Sequence, residues 1–277
     1  MADIRVGKVA VLDLSAWGAE QSGIRQHVQM TELATPDRYA SHSVFTDPGA
    51  YATLIGGLPR DIAALCRTLQ GLLIHEAWIE RQGLDPADFS GQSRATLPVA
   101  RRLEQLLTIA PGPLSIARPG ASRALATCRD FSLMMCAVLR HHGRPARLRC
   151  GFGKYFTGHP LHDHWVCEYW ARDAQRWVLV DAELDELHRS LLKFDFDPTD
   201  VPRTEFITGI EAWKRCRSGA IDPAQLGHGS TTRSVLCPRQ LGARSARTRG
   251  DRDLGMGYMA RGGRAEPGIG RRCLVAL

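Results

Sequence analysis

Three side chains in the middle of the sequence, Cys128, His164 and Asp181, have the types and the order that catalysis by a thiol requires. In such a site a thiolate attacks an acyl carbonyl, an imidazole takes up the thiol proton, and a carboxylate fixes the tautomer of the imidazole. A single cysteine or a single histidine on a strand is usually structural. The elements that carry the three residues therefore decide whether they form a site.

The segment TCRDFSLMMCAVLRHHG, residues 127–143, predicts a buried helix. Thr127 is a suitable N-cap, Asp130 is an acidic residue in the first turn, and Gly143 marks the end of the helix. Cys128 then lies in the first turn, where the helix dipole stabilises a thiolate and where its backbone N–H can donate to an oxyanion. This placement predicts a reactive thiol.

The residues after this helix predict an antiparallel sheet. ARLRCGF, residues 146–152, alternates apolar and polar residues, and two further strands are expected at 164–170 and 176–182. If His164 pairs directly with Asp181, the centre of the hairpin falls between Arg172 and Asp173, in a polar stretch that suits a turn. The prediction is therefore a hairpin that places His164 opposite Asp181, close enough for the carboxylate to hold the imidazole.

Helical periodicity also occurs outside this region. Helices are predicted from Asp61 to about Gly83, from Pro98 to Pro111, and from a cap at Thr208 to Gly219. Residues 1–56 show little periodicity and form a poorly determined N-terminal segment. We therefore expect one domain over residues 57–238, with a helical N-terminal part and a core at residues 120–186.

Together, TCRDFSLMMCAVLRHHGRPARLRCGF, DHWVCEYW and RWVLVDAELD resemble the transglutaminase-like superfamily in order and spacing. The resemblance covers residues 120–186 and places Cys128, His164 and Asp181 on the family's catalytic residues. It implies a papain-like α+β fold, with the nucleophile helix packed on an antiparallel sheet. It also implies thioester chemistry on protein or peptide amides, without a cofactor or a metal. The thioester would be resolved by water, as in a protease, amidase or deamidase, or by an amine, as in a transglutaminase; the small domain favours hydrolysis.

One feature of the sequence supports a different reading. No tryptophan occurs between Trp78 and Trp165, and no glutamine lies just upstream of Cys128, so the sequence does not identify a side-chain donor for an oxyanion. The alternative is a catalytically inactive relative that binds peptides.

The positive charge of the chain is concentrated at its C-terminus. Residues 239–277 contain nine arginines and three acidic residues, which accounts for six of the seven net positive charges. The body is almost neutral, so its electrostatics do not predict binding to nucleic acid. We interpret residues 239–277 as a basic Arg/Gly-rich tail, either disordered or a non-native extension.

The remaining signals are weaker. The eight cysteines include no CxxC pair and are expected to be reduced, and the sequence has neither a membrane span nor a secretory signal, which favours the cytoplasm. Two sets of residues resemble metal ligands, namely His159, His162, Asp163 and His164, and Asp195, Asp197 and Asp200. The first set does not share one face of a strand, and the second lacks the glycine and glutamate of a calcium loop, so no metal site is predicted.

Overall fold

The computed structural model describes residues 36–94 and 96–227. The basic tail predicted at residues 239–277 lies outside the described residues, as does most of the N-terminal segment. The described part is an α+β fold, with helices α1 to α6 at Ala52–Gly56, Ile62–Leu72, Val99–Ile109, Cys128–His141, Glu186–Leu192 and Gly209–Ser218. Strands β1 to β7 lie at Leu73–His75, Ala124–Ala126, Ala146–Gly153, Leu161–Ala171, Arg176–Val180, Phe206–Thr208 and Leu226–Gly227.

The larger sheet has the strand order β5-β4-β3-β6, and β7 pairs in parallel with the start of β4. The pairs β3–β4, β4–β5 and β3–β6 are antiparallel. Helix α4 packs on the face of β4 that carries Cys167, which is fully buried. His164 and Val166 lie on the opposite face, because side chains alternate along a strand. Cys167 is therefore a core residue.

Helix α4 has the predicted limits because its cap is encoded locally. Thr127 is the N-cap, and the backbone N–H and the hydroxyl of Thr127 both donate to Oδ2 of Asp130 at 2.9 Å. Gly143 follows the helix with φ of 71°, the left-handed conformation that glycine adopts readily. Helices α3 and α6 also agree with the predicted limits, and Gly219, at φ 77°, ends α6.

The helix predicted from Asp61 to Gly83 is wrong beyond Leu72. There the chain leaves α2 and forms β1, which pairs in parallel with β2. The apolar residues at the end of α2 and just after it fit a helical pattern. In β1, however, the backbone makes its hydrogen bonds with β2 and not within a helix. Gly71, near the end of α2, permits the close approach of the chain at Ala117, because a Cβ on residue 71 would lie 2.9 Å from the Cβ of Ala117.

The register predicted for the hairpin is also wrong, by two residues. Cys167 pairs with Val180 and Ala171 pairs with Arg176, so the turn is the four residues 172–175 and its centre follows Asp173. Gln175 closes this turn with φ of 48°. The shift is an even number of residues, so Asp181 stays on the face of His164 as a diagonal neighbour rather than a directly opposed one.

Candidate active site

Cys128 is the first residue of α4 and follows directly after β2. Its side chain is partly exposed, whereas its neighbours Thr127 and Asp130 are buried. Asp130 fixes the start of the helix through Thr127 and is itself held by Arg102, whose Nη2 lies 3.0 Å from Oδ1 of Asp130. The first residue of a helix has no intrahelical partner for its N–H, so the thiol lies at the positive end of the helix dipole.

The structure brings the imidazole of His164 and the carboxylate of Asp181 together. Nε2 of His164 lies 2.7 Å from Oδ2 of Asp181, and both side chains are buried. The hydroxyl of Tyr155 donates to the same oxygen at 2.9 Å, and the backbone N–H of Glu183 donates to Oδ1 at 3.2 Å. The carboxylate is therefore fixed from both sides, and Nδ1 of His164 is left for the thiol.

Aromatic rings enclose this pair. The ring of Phe156 packs against the imidazole of His164 at a centroid distance of 4.6 Å, and Tyr155 lies edge-on to it at 5.9 Å. Both rings come from the loop between β3 and β4. This loop excludes water from the pair, which strengthens its electrostatic interactions.

The electrostatics of the thiol and the imidazole are reciprocal. Burial raises the pKa of the Cys128 thiol, but the charge of His164 and hydrogen bonds with His164 and His75 outweigh burial, so the pKa lies below its usual value. Burial lowers the pKa of His164, but Asp181 and Cys128 outweigh this effect and hold it well above the usual value. The arrangement favours a thiolate beside an imidazolium.

A second histidine, His75, also contacts Cys128. His75 is the last residue of β1. It pairs with Ala126 of the parallel strand β2, and Ala126 lies two residues before Cys128. The imidazole nitrogen of His75, the sulfur of Cys128 and a carboxylate oxygen of Glu183 lie within 4.8 Å of one another. The sequence analysis missed His75 because it predicted a helix over this residue. The apolar run LLI directly before His75 was the available signal for a buried strand.

Glu183 is buried and lies beside His75 and Cys128. Burial raises the pKa of its carboxyl group, but His75, His188 and His164 outweigh burial and lower the pKa to about 2. The side-chain amide of Gln70 donates to the carbonyl oxygens of Ala182 and Leu184, both at 3.1 Å. Helix α2 therefore holds the backbone on both sides of Glu183.

His188 continues this network away from the thiol. Its Nδ1 lies 2.6 Å from Oδ1 of Asp185, its Nε2 lies 3.6 Å from Oε1 of Glu183, and its ring packs on Trp78. Burial lowers the pKa of His188, but the two carboxylates raise it to about 9. The site thus contains two imidazole–carboxylate groups, His164 with Asp181 and His188 with Asp185 and Glu183.

Residues 110–182 match the model of the transglutaminase-like superfamily. This segment contains the helix of Cys128, the strand of His164, and Asp181. The chain carries a transglutaminase-like domain. The matched residues include the 120–186 core on which the resemblance was based.

Other comparisons add little to this assignment. A solved structure of a candidate cysteine protease from Cytophaga hutchinsonii is similar at 15% identity and a TM-score of 0.36, with 65% of this chain and 48% of that chain covered. This chain therefore spans about half the length of that structure, and a likeness at this level carries no argument about activity. No curated protein matches the sequence. None of the helices in residues 36–94 and 96–227 has the length and apolar character of a membrane span.

Within those ranges, the group formed by His75, Cys128 and Glu183 is the one that brings three metal-ligating side chains together in the transglutaminase-like domain. Neither set considered from the sequence forms such a group. Asp197 instead caps a short turn by accepting from the N–H of Thr199 at 2.8 Å. In His75, Nδ1 accepts from the N–H of Ala77 at 3.1 Å, so the neutral ring has its hydrogen on Nε2 and presents no lone pair there. The donor set therefore does not fit a metal ion.

The network around His188 predicts a pH-dependent stability. The pKa of His188 is about 9 in the folded domain against an ordinary 6.5, so protonation stabilises the fold fully below pH 6.5 and this contribution is lost as the pH rises through 9. The deficit in unfolding free energy of His188→Gln relative to wild type is expected to be largest below pH 6.5, at most about 3 kcal/mol, and to shrink towards pH 9.

Urea unfolding at a series of pH values from 5.5 to 9.5 measures this deficit. The exposed His141, at the far end of α4, provides the control, and His141→Gln should show no such pH dependence. A deficit of His188→Gln that stays constant across the series would contradict the prediction.

Proposed function

We propose that the transglutaminase-like domain is a thiol enzyme that transfers acyl groups from protein or peptide amides. In this mechanism Cys128 is the nucleophile, His164 is the general base and acid, and Asp181 orients His164. The observation that supports the proposal most directly is the position of His164, whose Nε2 lies 2.7 Å from Oδ2 of Asp181 and whose positive charge lowers the pKa of the Cys128 thiol.

The reaction begins when His164 holds the thiol proton and the thiolate of Cys128 attacks the carbonyl carbon. The C=O electron pair moves to oxygen as the S–C bond forms. When the carbonyl re-forms, the C–N bond breaks and His164 returns the proton to the leaving amine, which leaves a thioester on Cys128. Water then resolves the thioester in a hydrolase, and a second amine would resolve it in a transferase. We favour hydrolysis because the domain is small, the reason already given in the sequence analysis.

Asp181 contributes to this reaction through His164. The contact of its Oδ2 with Nε2 leaves Nδ1 of the imidazole as the nitrogen that exchanges the proton. Tyr155 and the backbone of Glu183 keep the carboxylate in place and compensate for its burial. The carboxylate also stabilises the imidazolium that forms when the thiol is deprotonated.

Alkylation of the folded protein tests the proposed pair without a substrate. With limiting iodoacetamide at about pH 6, an ordinary thiol is almost wholly protonated and reacts slowly. We expect rapid labelling of Cys128, mapped by mass spectrometry, and slower labelling in His164→Ala. His141→Ala removes an exposed histidine from the same helix as Cys128 and should label like the wild type.

The opposite result is equally informative. Slow labelling of Cys128 that does not depend on His164 would contradict the proposed enzyme. It would favour the alternative of a non-catalytic domain that binds peptides.

A further inference from the structure

His75 lies where a second donor to the reacting oxygen is required. The parallel strands β1 and β2 end side by side, with His75 paired to Ala126. The chain continues from β2 through Thr127 to Cys128, so the last residue of β1 and the first residue of α4 meet at one edge. The sulfur of Cys128 and an imidazole nitrogen of His75 lie within 4.8 Å of each other.

The hydrogen on Nε2 of His75 does not depend on its protonation state. Nδ1 accepts a hydrogen bond from the N–H of Ala77 at 3.1 Å and caps the short helical turn that begins at Glu76. A neutral ring in this position carries its hydrogen on Nε2, and an imidazolium carries one there as well. Nε2, the nitrogen that the cap at Ala77 leaves available, is therefore a donor in either state.

The position of this donor is fixed by its surroundings. Glu183 is buried, and one of its oxygens, Oε2, has no hydrogen-bond partner in the described structure. The backbone on either side of Glu183 is held by Gln70. A carboxylate oxygen of Glu183 lies within 4.8 Å of an imidazole nitrogen of His75 and favours a donor on that side of the ring.

We propose that His75 is the side-chain donor that, with the backbone N–H of Cys128, stabilises the oxyanion formed when Cys128 attacks an acyl carbonyl. The inference rests on the proposed acyl-transfer function. In the free enzyme an imidazole nitrogen of His75 already lies within 4.8 Å of the sulfur. Once the S–C bond has formed, the negative charge lies on the carbonyl oxygen attached to the same carbon, and Nε2–H donates to that oxygen. His75 is then a catalytic residue, and its charge-stabilising bond is made in the transition state.

Two substitutions separate this role from the structural role of His75. His75→Asn keeps an acceptor near the position of Nδ1, which can cap the turn at Ala77, but removes the donor at Nε2. His75→Gln places an amide N–H near the position of Nε2. A residue that acted only through the turn would be replaced best by asparagine, whereas a donor to the oxyanion would be replaced best by glutamine.

The experiment compares two reactions of Cys128. Single-turnover acetylation by p-nitrophenyl acetate passes through an oxyanion, whereas alkylation by iodoacetamide does not. We expect His75→Asn and His75→Ala to slow acetylation by about 10²–10³-fold. Alkylation at a pH above the thiol pKa should stay within about threefold of wild type, since it needs only the thiolate. His75→Gln should recover at least about tenfold of the lost acetylation rate.

The outcomes distinguish the two proposals. Parallel losses of acetylation and alkylation, or acetylation of His75→Asn at the wild-type rate, would overturn the role of His75 and leave the acyl-transfer function standing. A wild-type protein that alkylates rapidly but is acetylated at Cys128 no faster than a free thiol would overturn the acyl-transfer function itself, and the role of His75 with it. Melting temperatures of all variants show that the compared proteins are folded.

Discussion

Asp181→Asn is expected to slow the acetylation of Cys128 by roughly 10³–10⁴-fold, the size of effect seen when a triad carboxylate becomes an amide. Two donors, Nε2 of His164 and the hydroxyl of Tyr155, converge on Oδ2, and the N–H of Glu183 points at Oδ1. An amide has one oxygen, so its NH₂ group must face a donor in either orientation. The substitution also removes the charge that raises the pKa of His164.

This loss has a signature in the pH dependence of alkylation. Without the carboxylate, the pKa of His164 falls, the imidazolium no longer stabilises the thiolate, and the pKa of Cys128 should rise. The alkylation profile should therefore move to higher pH together with the loss of acetylation. Asp195→Asn, which changes an exposed carboxylate in the loop after α5, is the matched control and should leave both reactions unchanged. Acetylation of Asp181→Asn within tenfold of wild type would contradict the assigned role of Asp181.

The largest expected effect on stability follows from removing Asp130. Arg102 and Asp130 form a buried ion pair at 3.0 Å, with exposed side-chain fractions of 2% and 1%. Asp130→Ala leaves the guanidinium of Arg102 buried without its charge partner and removes the acceptor for Thr127 at the start of α4. We expect the free energy of unfolding to fall by about 3–5 kcal/mol, which urea denaturation measures.

An exposed ion pair on α3 provides the control. Arg101 and Glu104 lie 3.1 Å apart, with exposed fractions of 69% and 49%, and Glu104→Ala should change the unfolding free energy by less than about 1 kcal/mol. The double variant Arg102→Met/Asp130→Ala should recover part of the loss, because no buried charge is left unpaired. Similar losses for Asp130→Ala and Glu104→Ala would show that burial of the pair has no energetic consequence.

The helix that carries Cys128 could be predicted from the sequence because its signals are local. Thr127, Asp130 and Gly143 set its limits through contacts within a few residues, and the continuous apolar run between them requires burial. The same holds for α3, α6 and the alternating pattern of β3. The order of Cys128, His164 and Asp181 along these elements also led to the prediction that they form one site, and in the structure His164 and Asp181 lie 2.7 Å apart.

The register of the β4–β5 hairpin was not available from the sequence. Turns of two and four residues both suited the polar stretch, and the structure selects the four-residue turn closed by Gln175. Strand patterns repeat every two residues, so a shift by two leaves every side chain on its face and the pattern does not register the difference. Asp181 reaches His164 diagonally for this reason.

The sequence by itself therefore determined the α+β class, the helix that begins at Cys128, and the face shared by His164 and Asp181. Only the tertiary structure decided the second half of the site, namely His75, Glu183 and His188. Residues 72–75 satisfy a helix and a strand equally well, and the choice depends on pairing with β2, some fifty residues further along the chain. Local patterns cannot encode that contact, because its free energy comes from hydrogen bonds and burial that exist only after the two segments have met.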